Sequence, residues 1–261
     1  GGSLTDALAA VAQVDRLLVA TDFDGTLAPF TLDPMESRAE PGALPALAWL
    51  AALDRTTVAV VSGRDIGTLS QLTGIPASGG GAGQPLLAGS HGAESSDPTL
   101  YSVAQIPGRA ARVAALTDEL TRVAQRHPGA RVEVKTAGVS LHTRGMPEAA
   151  EDAALADALA VGAQHTDVRV VPGKSVVELS VSDADKGSAV VAIADAVGAD
   201  AVVFFGDDPT DEDAFRMLHG PLDVTVKVGP GSTAAGYRVS GPPDVAAALA
   251  GLLDRRRGLA G

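Results

Sequence analysis

The sequence predicts an α/β protein, with a parallel sheet covered by helices on both faces and a smaller α+β module inserted into it. Two observations point to the sheet. Short aliphatic runs alternate with helix-length patterns, the order of strands joined by crossover helices. The runs are apolar along their length, as in strands buried on both faces. A third observation marks the insertion: from about residue 105 to 182 the order changes to helix–strand–strand, twice over.

The elements follow in chain order. Leu17 to Ala20 reads as the first strand and delivers Thr21-Asp22. A helix pattern at 42–53 leads to a second strand, Thr57 to Val61, which enters Ser62-Gly63-Arg64. A helix at 64–72 precedes a shorter strand, Leu86 to Ala88, which enters Ser90-His91-Gly92. Beyond the insertion, a helix at 186–197 precedes Ala201 to Phe205, then Gly206-Asp207-Asp208. A helix at 210–218, the strand Val224 to Val228 and a helix at 243–254 complete the pattern. Thr210 with Asp213 three residues on reads as a capping arrangement. Within the insertion, helices are expected at 108–127 and 147–163. Its strands are Arg131 to Lys135 and Val139 to His142, split by Ala137-Gly138, then Val168 to Val171 and Val176 to Ser180, split by Pro172-Gly173. Pro107-Gly108 and Ser182 to Asp185 read as linkers, and Ser78 to Gly83 as a surface loop. His127, His165 and His219 read as surface or helix-end residues, and Trp49 as core.

Composition narrows the function. The 261 residues carry 32 Asp+Glu against 20 Lys+Arg, a net charge of −12, and no cysteine. Disulfides, thiolate nucleophiles and cysteine-based metal sites are therefore excluded. The acidic balance argues against nucleic acid, whose affinity rests on basic side chains. No run approaches the ~18 apolar residues of a membrane span. Gly1-Gly2-Ser3 reads as a cloning remnant and no targeting signal follows, so the expected location is cytoplasmic.

Two motifs carry the chemistry. In Asp22-Phe23-Asp24-Gly25-Thr26 an aliphatic strand presents two carboxylates, one residue apart, where ligands bind in open α/β sheets. In Gly206-Asp207-Asp208-Pro209-Thr210-Asp211-Glu212-Asp213 five acids crowd a strand-to-helix turn. Such crowding is resolved by a cation or by raised pKa values, and hard oxygen ligands suit magnesium or calcium. Helix-dipole pairing accounts for some of these acids, but not for two aspartates at the strand end itself. Ser62-Gly63-Arg64 and Lys186-Gly187 add a hydroxyl, amides and cations suited to phosphate. Other templates fail. Gly173-Lys174-Ser175 lacks the first glycine of a P-loop, Val168 standing in its place.

This order of motifs resembles the haloacid-dehalogenase-like (HAD) phosphatases over nearly the whole chain. The finer matches are similar to the trehalose-6-phosphate phosphatase family. They are Ser62-Gly63-Arg64, His91-Gly92 with Glu94, Val132-Glu133-Val134-Lys135, His142-Thr143-Arg144 and Pro172-Gly173-Lys174 with Glu178. Lys186-Gly187, the run from Gly206 to Phe215, and Val226-Lys227-Val228-Gly229 with Thr233-Ala234 complete them. Ser90 stands where that family often has Asn, and Thr143 where it has an aromatic residue.

The resemblance implies a Rossmann-like HAD core from residues 1–105 and 183–261, with a C2-type cap at 106–182. Asp22 would be the nucleophile and Asp24 the acid and base, carrying a proton at the outset. Mg2+ would be held by Asp22, the Asp24 carbonyl and Asp207, with Asp208 and Asp211 on or beside it. Ser62 and Lys186 would stabilise the transferring phosphoryl group. Glu133, Lys135, Arg144, Lys174 and Glu178 of the cap would lie over the sugar and close with it, Arg64 would assist, and His91 is either a substrate donor or a strand-end residue. The implied reaction is hydrolysis of trehalose 6-phosphate through an aspartyl-phosphate, with a functional link to a trehalose-6-phosphate synthase and no nucleic-acid or membrane partner. Two alternatives stand beside it. One is a capped HAD phosphatase acting on sucrose phosphate or another sugar phosphate, and the other is a non-catalytic regulatory domain.

Overall fold

The structure, a computed structural model, describes residues 2–31, 33–79, 83–99, 108–182 and 185–258. The chain divides into two compact units, Gly1–Ser102 with Ala184–Gly261, and Val103–Asp183. The expected boundary near 105, Pro107, Asp183, Ala184 and the centre of the 78–83 loop lie outside the described residues.

The first unit runs α1 (Leu4–Val11), β1 (Leu17–Thr21), α2 (Ala43–Ala51), β2 (Thr56–Val61), α3 (Ile66–Thr73), β3 (Leu86–Gly89) and β4 (Glu94–Ser95). After the second unit, whose own elements are α4, α5 and β5 to β8, come α6 (Lys186–Val197), β9 (Ala201–Gly206) and α7 (Asp211–Met217). β10 (Val224–Val228), β11 (Tyr237–Val239) and α8 (Pro242–Arg257) complete it. The sheet order is β11-β10-β9-β1-β2-β3-β4, and only the β3–β4 pair is antiparallel. The pleat of β1 separates two cores. Leu17 and Val19 face α1, α2, α3 and α8, and Leu18 and Ala20 face α6 and α7. That two-sided burial is why β1 and β9 carry no polar alternation. β1 pairs with β2 and β9 in register, with Thr21 opposite Val60 and Phe205. The residues that follow, Asp22, Ser62 and the Gly206-Asp207 turn, therefore emerge side by side.

Buried Arg256 of α8 stitches the far end of this unit. It donates to the carbonyls of Ala12 (2.9 Å), Val14 (2.6 Å), Asp15 (2.9 Å) and Arg55 (3.2 Å), and to the Thr56 hydroxyl (2.8 Å).

The second unit comprises α4 (Arg109–Arg126), β5 (Arg131–Lys135), β6 (Gly138–His142), α5 (Glu148–Ala163), β7 (Arg169–Gly173) and β8 (Val176–Ser180). Its antiparallel sheet, in the order β5-β6-β8-β7, buries Val139, Leu141, Val177 and Leu179 with α4 residues Val113, Leu116, Leu120 and Val123.

Four local expectations need correction. Pro172 and Gly173 belong to β7, an edge strand where proline costs no ladder bond, and the turn falls at Lys174-Ser175 with Ser175 at φ 58°. Gly138 opens β6 rather than the turn, because a Cβ there would lie 2.6 Å from the Leu179 carbonyl oxygen. Thr210 sits at the N-cap of α7 without capping it; Asp208 accepts the Thr210 and Asp211 amides instead, at 2.8 and 3.0 Å. Trp49 lies on the outer face of α2, 58% exposed, with the Arg257 guanidinium 4.8 Å from its ring. The core-facing positions of that helix are Ala43, Ala46, Leu47 and Leu50. His127 and His165 contact Asp157 and Glu119 at 2.9 and 3.1 Å, and His219 is exposed.

Candidate active site

The site grows from the carboxyl ends of β1, β2 and β9. The Asp22 amide continues the sheet by donating to the Phe205 carbonyl at 2.9 Å, which fixes the residue between two strands. Its Oδ1 accepts the Phe23 amide at 2.7 Å, and its Oδ2 lies 3.0 Å from Lys186 Nζ. Lys186 is the first residue of α6, entered through a capping box of Asp185 with Ser188. Its ammonium, 1% exposed, also meets Asp211 Oδ1 at 2.9 Å and Asp208 Oδ2 at 3.2 Å. Asp211 turns its Oδ2 to the amides of Asp207 and Asp208, at 2.9 and 3.0 Å.

The electrostatics follow from burial around one cation. Burial pulls the Lys186 pKa down, but Asp22, Asp211 and Asp208 outweigh it and hold it well above the ordinary lysine value. Burial and the neighbouring Asp211, Asp208 and Asp207 push Asp22 well up against the pull of Lys186. Burial also raises Asp211, to about 6, although Lys186 opposes it. Asp208 is held at about 2: burial would raise it, but Lys186 and the hydrogen bonds from Thr210 prevail.

Asp22, Asp208 and Asp211 each offer an oxygen within 4.8 Å of the others, a spacing that could hold a metal ion. Those oxygens surround the Lys186 ammonium. Asp207 stands near Asp22 as well, close enough for its charge to push the Asp22 pKa up. Asp207 is raised by burial and by Asp208, against the pull of Lys186 and the hydrogen bond from Thr26. Neighbouring hard oxygen donors, one buried and one half-buried, are the arrangement a divalent cation relieves. The residues fit such an ion. Gly25 makes the approach feasible: its φ is 76°, and a Cβ there would fall 2.2 Å from Asp207 Oδ2.

Asp24 is held apart from this cluster. Its carboxylate accepts Arg64 Nε at 2.5 Å and Nη2 at 2.6 Å, a bidentate fork, and the Ser37 hydroxyl at 3.1 Å. Buried Ser62 accepts the Arg64 amide at 3.2 Å through its Oγ, keeping its own O–H to donate. The left-handed pair Ser90 and His91, at φ 50° and 56°, packs against the same turn. The Ser90 amide donates to the Arg64 carbonyl (2.7 Å) and the His91 amide to that of Ser62 (2.9 Å). The His91 ring lies so close to Gly63 that a Cβ would meet Cε1 at 2.6 Å. Glu94 secures this corner through the Ile66 amide (2.7 Å) and the Ser90 hydroxyl (3.2 Å).

Thus Asp22, Asp24, Ser62, Arg64, His91, Lys186, Asp207, Asp208 and Asp211 converge on one edge of the first unit. Within the second unit, Lys135 pairs with Glu178 at 2.5 Å, beside buried Ser140. Glu133 lies opposite Ser140, with its carboxylate on His142 at 2.6 Å. Arg144 and Lys174 stand apart, exposed at one end of that sheet; each is four positions beyond the Ser140–Glu178 row, about 13 Å along a strand. Sequence reasoning singled out neither Thr26, which donates to Asp207 Oδ1 at 3.1 Å, nor Ser37. Thr26 was visible in the D-x-D-G-T run, whereas Ser37 lies in a loop with no periodic signal.

A parallel sheet whose central strand ends in D-x-D, beside a buried lysine–aspartate network, defines the HAD phosphatase fold. Similarity in structure agrees. The C-terminal domain of Candida albicans trehalose-6-phosphate phosphatase matches with a TM-score of 0.74 at 21% identity, covering 96% of each chain. A HAD subclass IIB sugar phosphatase matches with a TM-score of 0.57 at 16% identity, over 89% of this chain and 96% of that one. The sequence profile of the trehalose-phosphatase family matches residues 20–241, and the chain belongs to that family. The trehalose-phosphate phosphatase of Mycobacterium tuberculosis is 36% identical in an alignment 264 positions long that covers 93% of this chain. The chain spans 64% of the length of that relative.

Proposed function

We propose that the chain is a magnesium-dependent phosphomonoesterase that hydrolyses trehalose 6-phosphate to trehalose and phosphate. The observation that carries the reading is the buried Asp22 carboxylate, held by the Phe23 amide and Lys186, with Asp207 near enough to raise its pKa. Asp22 and Asp207, with the Asp24 carbonyl, would hold Mg2+, which supplies charge neutralisation on the phosphate oxygens when bound.

Asp22 attacks phosphorus, the bond from phosphorus to the sugar oxygen breaks, and Asp24, which takes up a proton from water as the incoming phosphate draws Arg64 off its carboxylate, gives that proton to the oxygen. Water then attacks the aspartyl-phosphate, Asp24 takes a proton from it, and the Asp22–phosphorus bond breaks to release phosphate. Lys186 orients Asp22 and, with the Ser62 hydroxyl, offsets charge developing on the phosphoryl group. Arg64 and Ser37 fix Asp24. The Lys135–Glu178 pair, with Glu133, is the part of the second unit we assign to the sugar hydroxyls, which suit alternating donors and acceptors.

The test is a panel of trehalose 6-phosphate, sucrose 6-phosphate, glucose 6-phosphate and p-nitrophenyl phosphate, assayed with Mg2+ and with chelator. Trehalose 6-phosphate should lead the panel, and Asp22→Asn should abolish phosphate release. Preference for another ester by about tenfold, ~1.4 kcal/mol in the barrier, would overturn the substrate assignment. Persistent release by the Asp22→Asn variant would overturn the nucleophile.

A further inference from the structure

Lys227 is a buried cation that the reaction above does not use. It stands on β10 opposite Gly206 of β9, in parallel register, so its side chain reaches the turn that carries Asp207. There its ammonium donates to the Asp207 carbonyl. The same peptide is fixed on its other side, where the Asp208 amide donates to Asp211 Oδ2 at 3.0 Å. The Asp207 carboxylate is steadied in turn by the Thr26 hydroxyl at 3.1 Å. Behind Lys227 lies Glu212, also buried, with Oε1 4.0 Å from the ammonium and Oε2 accepting the Ala234 amide at 2.8 Å. The ammonium is thus set between the β9 turn and the first turn of α7, while Glu212 ties α7 to the segment after β10.

We infer that Lys227 is a positioning residue for metal binding, acting through the backbone of Asp207. The inference rests on the metal-dependent reading of the site. A lone carbonyl contact to a fully hydrated lysine would carry little weight. Here the ammonium is buried and the bond to half-buried Asp207 is partly shielded from water, so removing the ammonium strips the carbonyl of its charged donor and frees the peptide to rotate. Rotation of that peptide re-aims the carboxylate that faces Asp22. Lys227 also places positive charge near the acids of the site, and losing that charge alone would favour a dication, so a loss of affinity reports the backbone contact.

The test measures metal binding without turnover. Mn2+ binding to the intact wild-type chain and to Lys227→Met and Lys227→Arg is followed by electron paramagnetic resonance of free Mn2+. Mg2+-induced shifts in thermal unfolding are measured in parallel. Lys227→Met should weaken Mn2+ binding by roughly 10- to 100-fold, the range typical of residues that orient a metal ligand from behind. Lys227→Arg should recover part of it. KM for substrate at saturating Mg2+ should stay within about twofold, because the loss is carried by metal affinity. Wild-type affinity in a folded Lys227→Met variant, whatever its thermal stability, would overturn the inference. If Lys227→Met does not fold, Glu212→Gln decides: it keeps the carbonyl contact and removes only a charge. Binding within about threefold of wild type (~0.7 kcal/mol) then supports orientation through the backbone, and a loss of about tenfold (~1.4 kcal/mol) overturns it. Absence of Mn2+ binding in the wild type would instead refute the metal-dependent reading itself.

Discussion

Replacing Lys186 by methionine removes one ammonium from contact with three carboxylates, at 2.9, 3.0 and 3.2 Å. Methionine fills much of the same volume, so the change isolates the charge. Two of the carboxylates, on Asp22 and Asp211, are almost wholly buried, and that of Asp208 is partly exposed. Breaking a buried ion pair from one side costs about 3–5 kcal/mol, because the remaining charge is uncompensated. We expect a loss in that range at pH 7 in chelator. With a urea m-value of about 2–3 kcal/mol/M, the midpoint should fall by roughly 1–2 M. The assay is urea unfolding followed by Trp49, the single tryptophan, which lies on α2 and so reports on the first unit. The pH trend is part of the prediction. The folded variant escapes repulsion by binding protons that the unfolded chain does not hold near neutrality. Its deficit should therefore shrink as pH falls from 7 to 5, by up to about 1.4 kcal/mol per unit for each proton taken up. Added Mg2+ should stabilise the variant more than the wild type. A deficit below about 1 kcal/mol, or one that ignores pH and Mg2+, would refute an electrostatic role for Lys186.

Three other outcomes follow from the same geometry. Asp24→Asn should cut turnover of trehalose 6-phosphate by roughly 10²–10⁴, while p-nitrophenyl phosphate, whose leaving group needs no proton, should give a burst of nitrophenol followed by slow turnover. Rapid-mix absorbance checks this, and steady release without a burst would remove Asp24 from the second step. Gly63→Ala should displace the His91 ring, cost about 1–3 kcal/mol of stability and raise KM; unchanged KM would make His91 a packing residue. In metal-free wild type, Asp22 and Asp211 are raised on folding. The stability they contribute is full below the ordinary aspartate range and is lost as pH rises, through about 6 for Asp211. Urea midpoints in chelator between pH 4 and 7 should therefore fall, and excess Mg2+ should flatten the curve.

The positions of the acids were legible because each motif follows a run of apolar strand residues, and such strands end where ligands bind. Roles within the acidic run were not. Asp208 works as the cap of α7 and Asp211 as acceptor for two amides, functions that depend on backbone direction rather than composition. Ser37 reaches back to Asp24 from thirteen positions further on, across a segment without periodicity. Lys227 looked like one more polar position in a motif, since only the β9–β10 register shows what its ammonium meets. Trp49 shows a plainer limit: hydrophobic character predicted burial, but its angular place on α2 put it outside.

The central strand has a neighbour from each side of the insertion: β2 ends at Val61, and β9 begins at Ala201. On a ribosome adding about 5–20 residues per second, β1 waits roughly 10–30 s for its second partner. During that time one apolar edge of β1 is unpaired, a template for pairing with other chains. Asp22 meanwhile has neither Asp207 nor Lys186 beside it, so the catalytic centre is a late product of synthesis. A substitution that slows folding of the second unit would lengthen this interval and lower the yield of active protein without touching a catalytic residue.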